Sequence, residues 1–413
     1  MKNILSKKEW LNNYHLAISE CKQKKTILDC WPCSVKVEIN NSCNCMCKFC
    51  FQANSKSHNK DMLSNEEIDQ LFPILQYATY ITTSCVAEPF VSPKKYRYLL
   101  HVIRKHNPYA KVLVITNGLL MNEEVIDDLI NYKCDKIKIS IHAIDNYKEF
   151  YGNGSFDIVK KNIEKLQNKK RKLGIEYPEI EINHLLTFYS DPFEIVDFAS
   201  IISITSITFM LVNENKNGLY MNKTPQNNGW TSEFDQYIKS VLNYSVSKKI
   251  NTSLWYWGNK LSIPDSLIKF CKKSSDFREC PMFFDRSKKH GCPSNAPWFQ
   301  LNTQMRNVFH CTCTAEVFKW IGKDWHSEIW NGKYFRYLRK CMNNNNYPTS
   351  CNCKKFPKII LDHNQIEIKE GDTLYSLLGE NWQKIYNLPS NDSFRILNPD
   401  PNLVRIGSII NLQ

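Results

Sequence analysis

Apolar and polar residues alternate with two different periods in the first half of the chain. Short runs that alternate every second residue, as in VKVEIN at 35–40 and KVLVIT at 111–116, predict β-strands. Longer segments with apolar residues at every third or fourth position lie between them and predict amphipathic helices. The pattern gives six strands separated by five helices, with the strands at 35–40, 80–86, 111–116, 136–142, 179–186 and 206–212.

This alternation of strands and helices predicts the α/β class. A helix between successive strands places the strands parallel, because the chain must cross back over the sheet before the next strand begins. Right-handed crossovers of this kind build either an open doubly wound sheet or a barrel, complete or partial. In both arrangements the binding and catalytic residues lie at the carboxyl ends of the strands.

The composition fits a protein with more than one folded domain. The chain has 413 residues, 42% of them hydrophobic, which is enough for two or three domains with real cores. Neither a signal peptide nor an apolar run long enough for a membrane span occurs, so we expect a cytoplasmic protein that does not enter a membrane. Because disulfides are rare in reducing compartments, the 17 cysteines are expected to be metal ligands or catalytic thiols.

The formal charge of +13 favours acidic partners. Nucleic acid, an anionic membrane and an acidic electron-transfer protein all fit that charge, and the charge alone does not choose among them. The lysines are scattered along the chain, so a general bias towards Asn and Lys is an equal alternative.

Four cysteines lie close together directly after the first predicted strand, in the segment CNCMCKFC. Cys43, Cys47 and Cys50 have the spacing CxxxCxxC, and Cys45 is an extra thiol between the first two. Three thiolates suit a 4Fe–4S cluster whose fourth iron stays open to a small molecule, whereas structural zinc normally takes four ligands. A zinc site remains an alternative if Cys45 or a distant residue supplies the fourth ligand.

This segment resembles the signature of the radical S-adenosylmethionine (radical SAM) enzymes, including the aromatic Phe49 before the last cysteine. Three further motifs resemble that family in the expected order. VAEP at 86–89 is similar to its Gly-Gly-Glu-Pro motif, ITNG at 115–118 to its Thr-Asn-Gly motif, and KISIHA at 138–143 to its fourth-strand serine segment. The resemblance implies a partial parallel (β/α)6 barrel as the radical SAM core over residues 33–212.

The resemblance also implies cofactors and roles for single residues. Glu88 would bind the methionine ammonium of S-adenosylmethionine through a charge-assisted hydrogen bond, although Val86 and Ala87 replace the two glycines before it. Asn117 and Ser140 would line the cofactor site, with a turn asparagine and a buried strand hydroxyl as their structural alternatives. The implied cofactors are a 4Fe–4S cluster and S-adenosylmethionine. A flavodoxin or ferredoxin would supply the electron, and nucleic acid is not an expected partner.

A second group of cysteines follows residue 270. Together with the segment around Trp330 and Asn331, residues 271–358 resemble the SPASM extension of radical SAM enzymes, which houses auxiliary iron–sulfur clusters. The resemblance implies at least one auxiliary cluster, for which the candidate ligands are Cys292, Cys311, Cys351 and Cys353, with Cys313 as a rival.

The other cysteines have weaker assignments. Cys271 and Cys280 belong to a second ligand set or to the core, and Cys341 is expected in the core because it lies on a helical face. Cys134 is interpreted as a core residue. Cys85 lies close to the Glu-Pro motif in the sequence and is the one candidate for a catalytic thiol.

The last segment, residues 364–413, contains no cysteine and resembles a LysM module with βααβ order. GDTL at 371–374 and LNPDPNL at 397–403 carry the resemblance. LysM modules often bind N-acetylglucosamine polymers, but for a cytoplasmic enzyme a docking or assembly role is favoured. The remaining parts are interpreted as an N-terminal helical extension at 1–32 and a connecting helical region at 213–270.

Three classes of function remain open at this point. The first is a radical SAM/SPASM enzyme that modifies a ribosomal peptide or protein. The second is a similar oxidoreductase or isomerase that acts on a small molecule such as a sugar or aminocyclitol. The third is a non-catalytic, metal-stabilised adaptor or nucleic-acid binder, for which bound zinc in place of iron would be the decisive observation.

Overall fold

The structure is a computed structural model that describes most of the predicted catalytic core and parts of the remaining chain. The described residues are 5–47, 50, 61–84, 86–186, 190–211, 232–256, 296–309, 318–344, 365–368, 373–402, 404 and 409–412.

The main sheet of the described residues has ten strands in the order β10-β9-β8-β1-β2-β3-β4-β5-β6-β7. The first seven run parallel, each beside the next, so the parallel α/β arrangement predicted for residues 33–212 is confirmed. The strands are β1 (Ser34–Glu38), β2 (Tyr80–Thr83), β3 (Lys111–Thr116), β4 (Lys136–Ser140), β5 (Glu179–Leu186), β6 (Ser206–Leu211), β7 (Asn251–Tyr256), β8 (Gln300–Gln304), β9 (Asn307–Phe309) and β10 (Phe318–Lys319).

Helices precede the sheet and connect its strands. They are α1 (Lys7–Lys22), α2 (Asn65–Asp69), α3 (Phe72–Leu75), α4 (Pro93–His106), α5 (Glu123–Asn131), α6 (Tyr147–Tyr151), α7 (Phe156–Leu173), α8 (Pro192–Ile201), α9 (Ser232–Ser247), α10 (Ala296–Phe299) and α11 (Lys333–Asn343). Among the described residues, no helix is both long and apolar enough to cross a bilayer.

Two helix starts differ in their caps. The Ser64 side chain accepts a hydrogen bond from the Glu67 backbone N–H at 3.2 Å, and this cap begins α2. The segment after this cap forms two short helices instead of one, because Pro73 lies in the first turn of α3 and its ring cannot continue the preceding helix. Ser155 occupies the N-cap of α7 but makes no capping hydrogen bond.

Strand β7 lies within residues 213–270, which the sequence analysis interpreted as a connecting helical region. That region contains α9 but also adds a seventh parallel strand, in which Ser253 lies beside Thr208 of β6. The segment NTSLWY is short and lacks strict alternation, because Thr252, Ser253 and Leu254 are all buried. A strand that is covered on both faces loses the period of two that identifies a strand in sequence.

The chain returns to the other edge of the sheet through β8, which pairs in parallel with β1. Strands β9 and β10 continue this edge in antiparallel pairing. Residues that follow the predicted connecting region therefore belong to the same sheet as the radical SAM-like motifs. Sequence periodicity did not predict this pairing, because β1 and β8 are far apart along the chain.

The segment before β1 is fixed to the segment before α11. Trp330 Nε1 donates a hydrogen bond to the Cys30 carbonyl at 2.9 Å. The Asn331 side chain both donates to the Leu28 carbonyl and accepts from the Leu28 N–H, at 2.7 and 2.8 Å. The buried Arg339 donates to the Pro297 carbonyl at 2.9 Å and lies against the Trp330 ring. The aromatic segment chosen in the sequence as a family marker thus has a packing role in this fold.

The C-terminal segment has a small core of its own. Strands β11 (Gln365–Glu367) and β12 (Ile409–Asn411) pair antiparallel around α12 (Leu374–Leu378), α13 (Trp382–Tyr386) and α14 (Asp392–Leu397). Among the described residues of this segment there are three α-helices, where the sequence predicted two. Gly371 and Asp372 lie outside the described residues, while Thr373 caps α12 by accepting a hydrogen bond from the Ser376 N–H at 3.0 Å. The core consists of Ile368, Leu374, Tyr386, Phe394 and Ile410.

We expect a chain that ends at Asp362 to keep the iron content, and the cleavage of S-adenosylmethionine without substrate, that the family resemblance implies for the full chain. The physical reason is that the removed segment has its own core and contains no cysteine. Both quantities should stay within about twofold of the full chain, as for removal of an independent domain. Iron analysis and chromatography of 5′-deoxyadenosine test this, and loss of iron on truncation would show that the tail supports the catalytic core.

Candidate active site at the strand carboxyl ends

The cysteine loop leaves the carboxyl end of β1, as the sequence predicted. Asn40 holds the start of the loop: its side chain accepts a hydrogen bond from the Ser42 N–H at 2.9 Å and donates to the Glu88 carbonyl at 3.2 Å. The Glu88 N–H donates back to the Ser42 carbonyl at 3.0 Å. The loop after β2 therefore lies directly against the loop after β1, at the edge where parallel strands place their functional residues.

The thiols of this loop contact one another. Cys45 is buried and its N–H donates to the Cys43 sulfur at 3.4 Å, while Cys43 and Cys47 are both half-buried. Hydrogen bonding to Cys45, together with burial, raises the pKa of the Cys43 thiol. Cys50 joins the group through its backbone, whose N–H donates to the Cys47 carbonyl at 2.9 Å. All three predicted ligands thus lie on one loop, with Cys45 packed between two of them.

No set of three or more His, Cys, Asp or Glu side chains within the described part of the chain converges closely enough to hold a metal ion. The donor chemistry of the loop still fits an iron–sulfur cluster, since soft thiolates are the ligands that such clusters take. Because the thiolate is the form of cysteine that binds metal, these side chains would hold a cluster as thiolates.

Glu88 lies at the centre of the site and is 2% exposed. One carboxylate oxygen accepts hydrogen bonds from Thr116 Oγ1 at 2.7 Å and from the Phe90 N–H at 3.2 Å. The other oxygen accepts from the Asn117 N–H at 2.8 Å. Burial raises the pKa of Glu88 to about 7, although these three hydrogen bonds oppose the rise. The second oxygen keeps capacity for a further donor, because a carboxylate oxygen has two acceptor sites.

Asn117 joins the end of β3 to the cysteine loop. Its Nδ2 donates to the Asn44 side-chain oxygen at 2.8 Å and lies 3.9 Å from the Cys43 sulfur. Ser140 lies at the end of β4 beside Asn183 of β5. The structure therefore brings Glu88 and Asn117 together with the cysteine loop, and it places Ser140 at the same edge of the sheet.

The turn after β4 was missed by the sequence predictions but holds the cysteine loop from one side. The Met46 N–H donates to the Tyr151 carbonyl at 2.9 Å, and the Asn153 side chain donates to the Asn44 carbonyl at 3.0 Å. Gly152 has a φ of +70°, and a Cβ atom there would lie 3.2 Å from the Met46 backbone. The glycine in the sequence YGNG was the available indication of a close backbone contact.

A buried ionic network below the loop was also missed. Glu181 of β5 accepts from Lys136 at 3.0 Å, from Lys138 at 2.9 Å and from Thr208 Oγ1 at 2.5 Å. Although burial opposes it, the charges of Lys138 and Lys136 lower the pKa of Glu181. The parallel register places Lys138 beside Glu181 and Thr208 beside Ser253. The alternating charges of KIK and EIE were the indication, but only the register pairs them.

Several predicted site residues lie outside the described residues. They are Phe49, Cys85, Cys271, Cys280, Cys292, Cys311, Cys313, Cys351 and Cys353. Of the remaining cysteines, Cys134 is buried and its thiol lies within hydrogen-bonding distance of the Val112 and Lys136 carbonyls, as expected for a core residue. Cys341 is half-buried on α11.

Residues 37–178 match the family model described as the Radical SAM superfamily. The protein carries a radical SAM domain. It is an enzyme of the radical SAM class, which implies a 4Fe–4S cluster and S-adenosylmethionine as cofactors. The matched segment begins in β1, contains the cysteine loop and Glu88, and ends directly before β5.

Solved structures share the fold of this radical SAM protein over most of its length. SuiB of Streptococcus suis bound to S-adenosylmethionine aligns with a TM-score of 0.57 and 16% identity, and the alignment covers 82% of this chain and 74% of that chain. SuiB bound to the precursor peptide SuiA aligns with a TM-score of 0.56 and 16% identity, over 86% and 76%. At this level of identity, the similarity to the two SuiB structures shows a shared fold. A search of curated proteins finds no match.

Proposed function

We propose that this radical SAM enzyme modifies a ribosomal peptide or protein by abstracting a hydrogen atom from it. Cys43, Cys47 and Cys50 would hold the 4Fe–4S cluster and leave one iron for S-adenosylmethionine. With one electron from a flavodoxin or ferredoxin, the cluster would cleave S-adenosylmethionine to methionine and a 5′-deoxyadenosyl radical, which would take the hydrogen atom. The observation that carries the proposal is the direct contact between the cysteine loop and the buried Glu88, through Ser42 and Asn117.

The residues around the loop would bind and orient the cofactor. Glu88 would accept a hydrogen bond from the methionine ammonium, in surroundings from which water is excluded. Asn117 and Ser140 would line the same pocket from β3 and β4. Because Glu88 is tied to both β3 and the cysteine loop, it would also hold the bound ammonium at a fixed distance from the cluster ligands.

A peptide or protein substrate is supported by the similarity to SuiB, one structure of which contains its precursor peptide. The likeness extends beyond the residues of the radical SAM domain and covers 86% of the chain. A substrate that occupies an extended surface would make use of these additional segments. The small-molecule class has no observation in its favour among the described residues.

The test is coexpression of the enzyme with each short peptide encoded beside its gene, followed by mass spectrometry of the peptide. We expect one peptide to change mass, and a peptide deuterated at the attacked carbon should transfer deuterium to 5′-deoxyadenosine. If a sugar or aminocyclitol transfers deuterium and no peptide does, the peptide proposal is wrong. If the reconstituted protein does not cleave S-adenosylmethionine at all, the radical SAM mechanism itself is refuted for this chain.

We further propose that the cysteines after residue 270 hold at least one auxiliary iron–sulfur cluster. We expect a variant with alanine at positions 43, 47 and 50 to retain about half of its iron and sulfide, because cysteines elsewhere in the chain would close a separate cluster. Iron and sulfide analysis after anaerobic reconstitution tests this. A triple variant free of iron would leave those cysteines as zinc ligands or core residues.

A further inference from the structure

The hydroxyl group of Tyr147 is a buried polar group without a hydrogen-bond partner among the described residues. Tyr147 begins α6 and is 2% exposed, and its Oη has no hydrogen-bond partner in the described part of the structure. A buried hydroxyl that lacks a partner costs about 1–3 kcal/mol, so such groups are rare and need an explanation.

The packing of α6 fixes the position of this hydroxyl. The Tyr147 ring stacks on the Tyr151 ring with centroids 4.2 Å apart and an angle of 16° between the ring planes. Tyr151 in turn accepts the Met46 N–H through its carbonyl and donates through its own hydroxyl to the Ser140 carbonyl at 2.9 Å. The tyrosine pair is thereby held between the cysteine loop and the end of β4.

The loop residue that contacts α6 lies next to one of the predicted cluster ligands. Met46, whose N–H is bonded to the Tyr151 carbonyl, directly precedes Cys47, and the Tyr147 ring stacks on the Tyr151 ring. Burial, together with the charges of Cys45, Cys47, Glu88 and Cys43, raises the pKa of Tyr147. No carboxylate or carbonyl oxygen in the described structure accepts the hydroxyl proton.

The chemistry of sulfur in the cysteine loop explains why the hydroxyl lacks a partner. A thiol sulfur is a weak acceptor, whereas a metal-bound thiolate carries negative charge and accepts hydrogen bonds well. Cluster binding would therefore create an acceptor beside a donor that is already in place.

We infer that the Tyr147 hydroxyl donates a hydrogen bond to the Cys47 thiolate when the cluster is bound, and so raises the reduction potential of the cluster. This inference rests on the proposed function and assigns Tyr147 a positioning role in it. A hydrogen bond to a ligand sulfur withdraws negative charge from the cluster and favours the form that carries one more electron. Tyr147 would thus make the cluster easier to reduce.

The test replaces Tyr147 by phenylalanine in the full, anaerobically reconstituted chain. Tyr147→Phe keeps the stacked ring and removes only the hydroxyl. We expect unchanged iron and sulfide content and a lower midpoint potential in an EPR-monitored redox titration. At the wild-type midpoint potential, the ratio of reduced to oxidised cluster should decrease by a factor of about three to ten. A tenfold decrease is equivalent to about 59 mV for one electron.

Tyr96→Phe is the matched control. Tyr96 is also 2% exposed, but its hydroxyl already has a partner, the Thr83 hydroxyl at 2.6 Å. We expect this variant to lose stability and to keep the wild-type midpoint potential. A drop in potential of the same size in both variants would assign the effect to general loosening of the core and overturn the inference.

A second measurement keeps the inference testable if Tyr147→Phe takes up little iron. In wild-type protein exchanged into D2O, electron–nuclear double resonance of the reduced cluster should show a strongly coupled deuteron that is absent from the loaded fraction of Tyr147→Phe. The same deuteron signal in both proteins, or an unchanged midpoint potential, contradicts the inference alone. A wild-type protein that binds no cluster contradicts the proposed function instead.

Discussion

Alanine in place of Cys43, Cys47 or Cys50 should lower the cleavage of S-adenosylmethionine by at least about a hundredfold, because each thiolate holds one iron of the cluster. Cys45→Ala should keep most of the activity, although the Cys45 thiol lies between those of Cys43 and Cys47. Anaerobic reconstitution with iron and sulfide, followed by measurement of 5′-deoxyadenosine with dithionite as reductant, gives the comparison.

Cys134→Ala is the control for this series. Cys134 is fully buried and its thiol lies near the Val112 and Lys136 carbonyls, so its loss should affect stability and not cluster content. If Cys45→Ala is inactive while Cys50→Ala remains active, the cluster is held by the three thiols that contact one another here, and the assignment from the CxxxCxxC spacing is wrong.

Glu88→Gln should weaken the binding of S-adenosylmethionine by a factor of about ten to a hundred. The substitution keeps the size of the side chain but removes the negative charge, and a hydrogen bond to a charged group contributes about 1.5–3 kcal/mol. Equilibrium binding to the cluster-loaded protein measures the change. Glu20→Gln is the matched control, because Glu20 is an equally buried carboxylate that accepts hydrogen bonds from the segment before β1.

The pH dependence of binding should distinguish a direct role of Glu88 from a structural one. Its pKa is raised to about 7, so the carboxylate that attracts the ammonium is lost as the pH falls below 7. Affinity should therefore decrease up to about tenfold per pH unit below that point in the wild type and should show no such step in Glu88→Gln. A wild-type affinity that is constant from pH 6 to pH 8 would contradict the role.

The same raised pKa has a consequence for folding. Since folded Glu88 retains its proton to a higher pH than the unfolded chain does, the free energy of unfolding should fall as the pH rises from about 4.5 to about 7. In Glu88→Gln, the decrease in the free energy of unfolding over this pH range should be smaller by about 3 kcal/mol. This amount corresponds to a shift of two to three pKa units. Denaturant unfolding of the metal-free protein at the two pH values measures this difference.

The sequence by itself determined the class of the fold and the place of its chemistry. The strands β1 to β6 were predictable because each is a local run of apolar and β-branched residues between helix signals. The cysteine loop was predictable because its thiols lie within eight positions, so that spacing along the chain predicts a ligand set without any long-range contact. Glu88 and Asn117 were found through the resemblance of VAEP and ITNG to motifs of the radical SAM family.

The tertiary structure alone decided how these pieces act on one another. The pKa of Glu88 depends on burial and on donors from the end of β3, and the pairing of β8 with β1 joins strands that lie far apart along the chain. The position of Tyr147 against the cysteine loop depends on contacts between two turns that follow different strands. Charge, burial and hydrogen bonding are properties of neighbours in space, and a one-dimensional pattern does not contain those neighbours until the chain is folded.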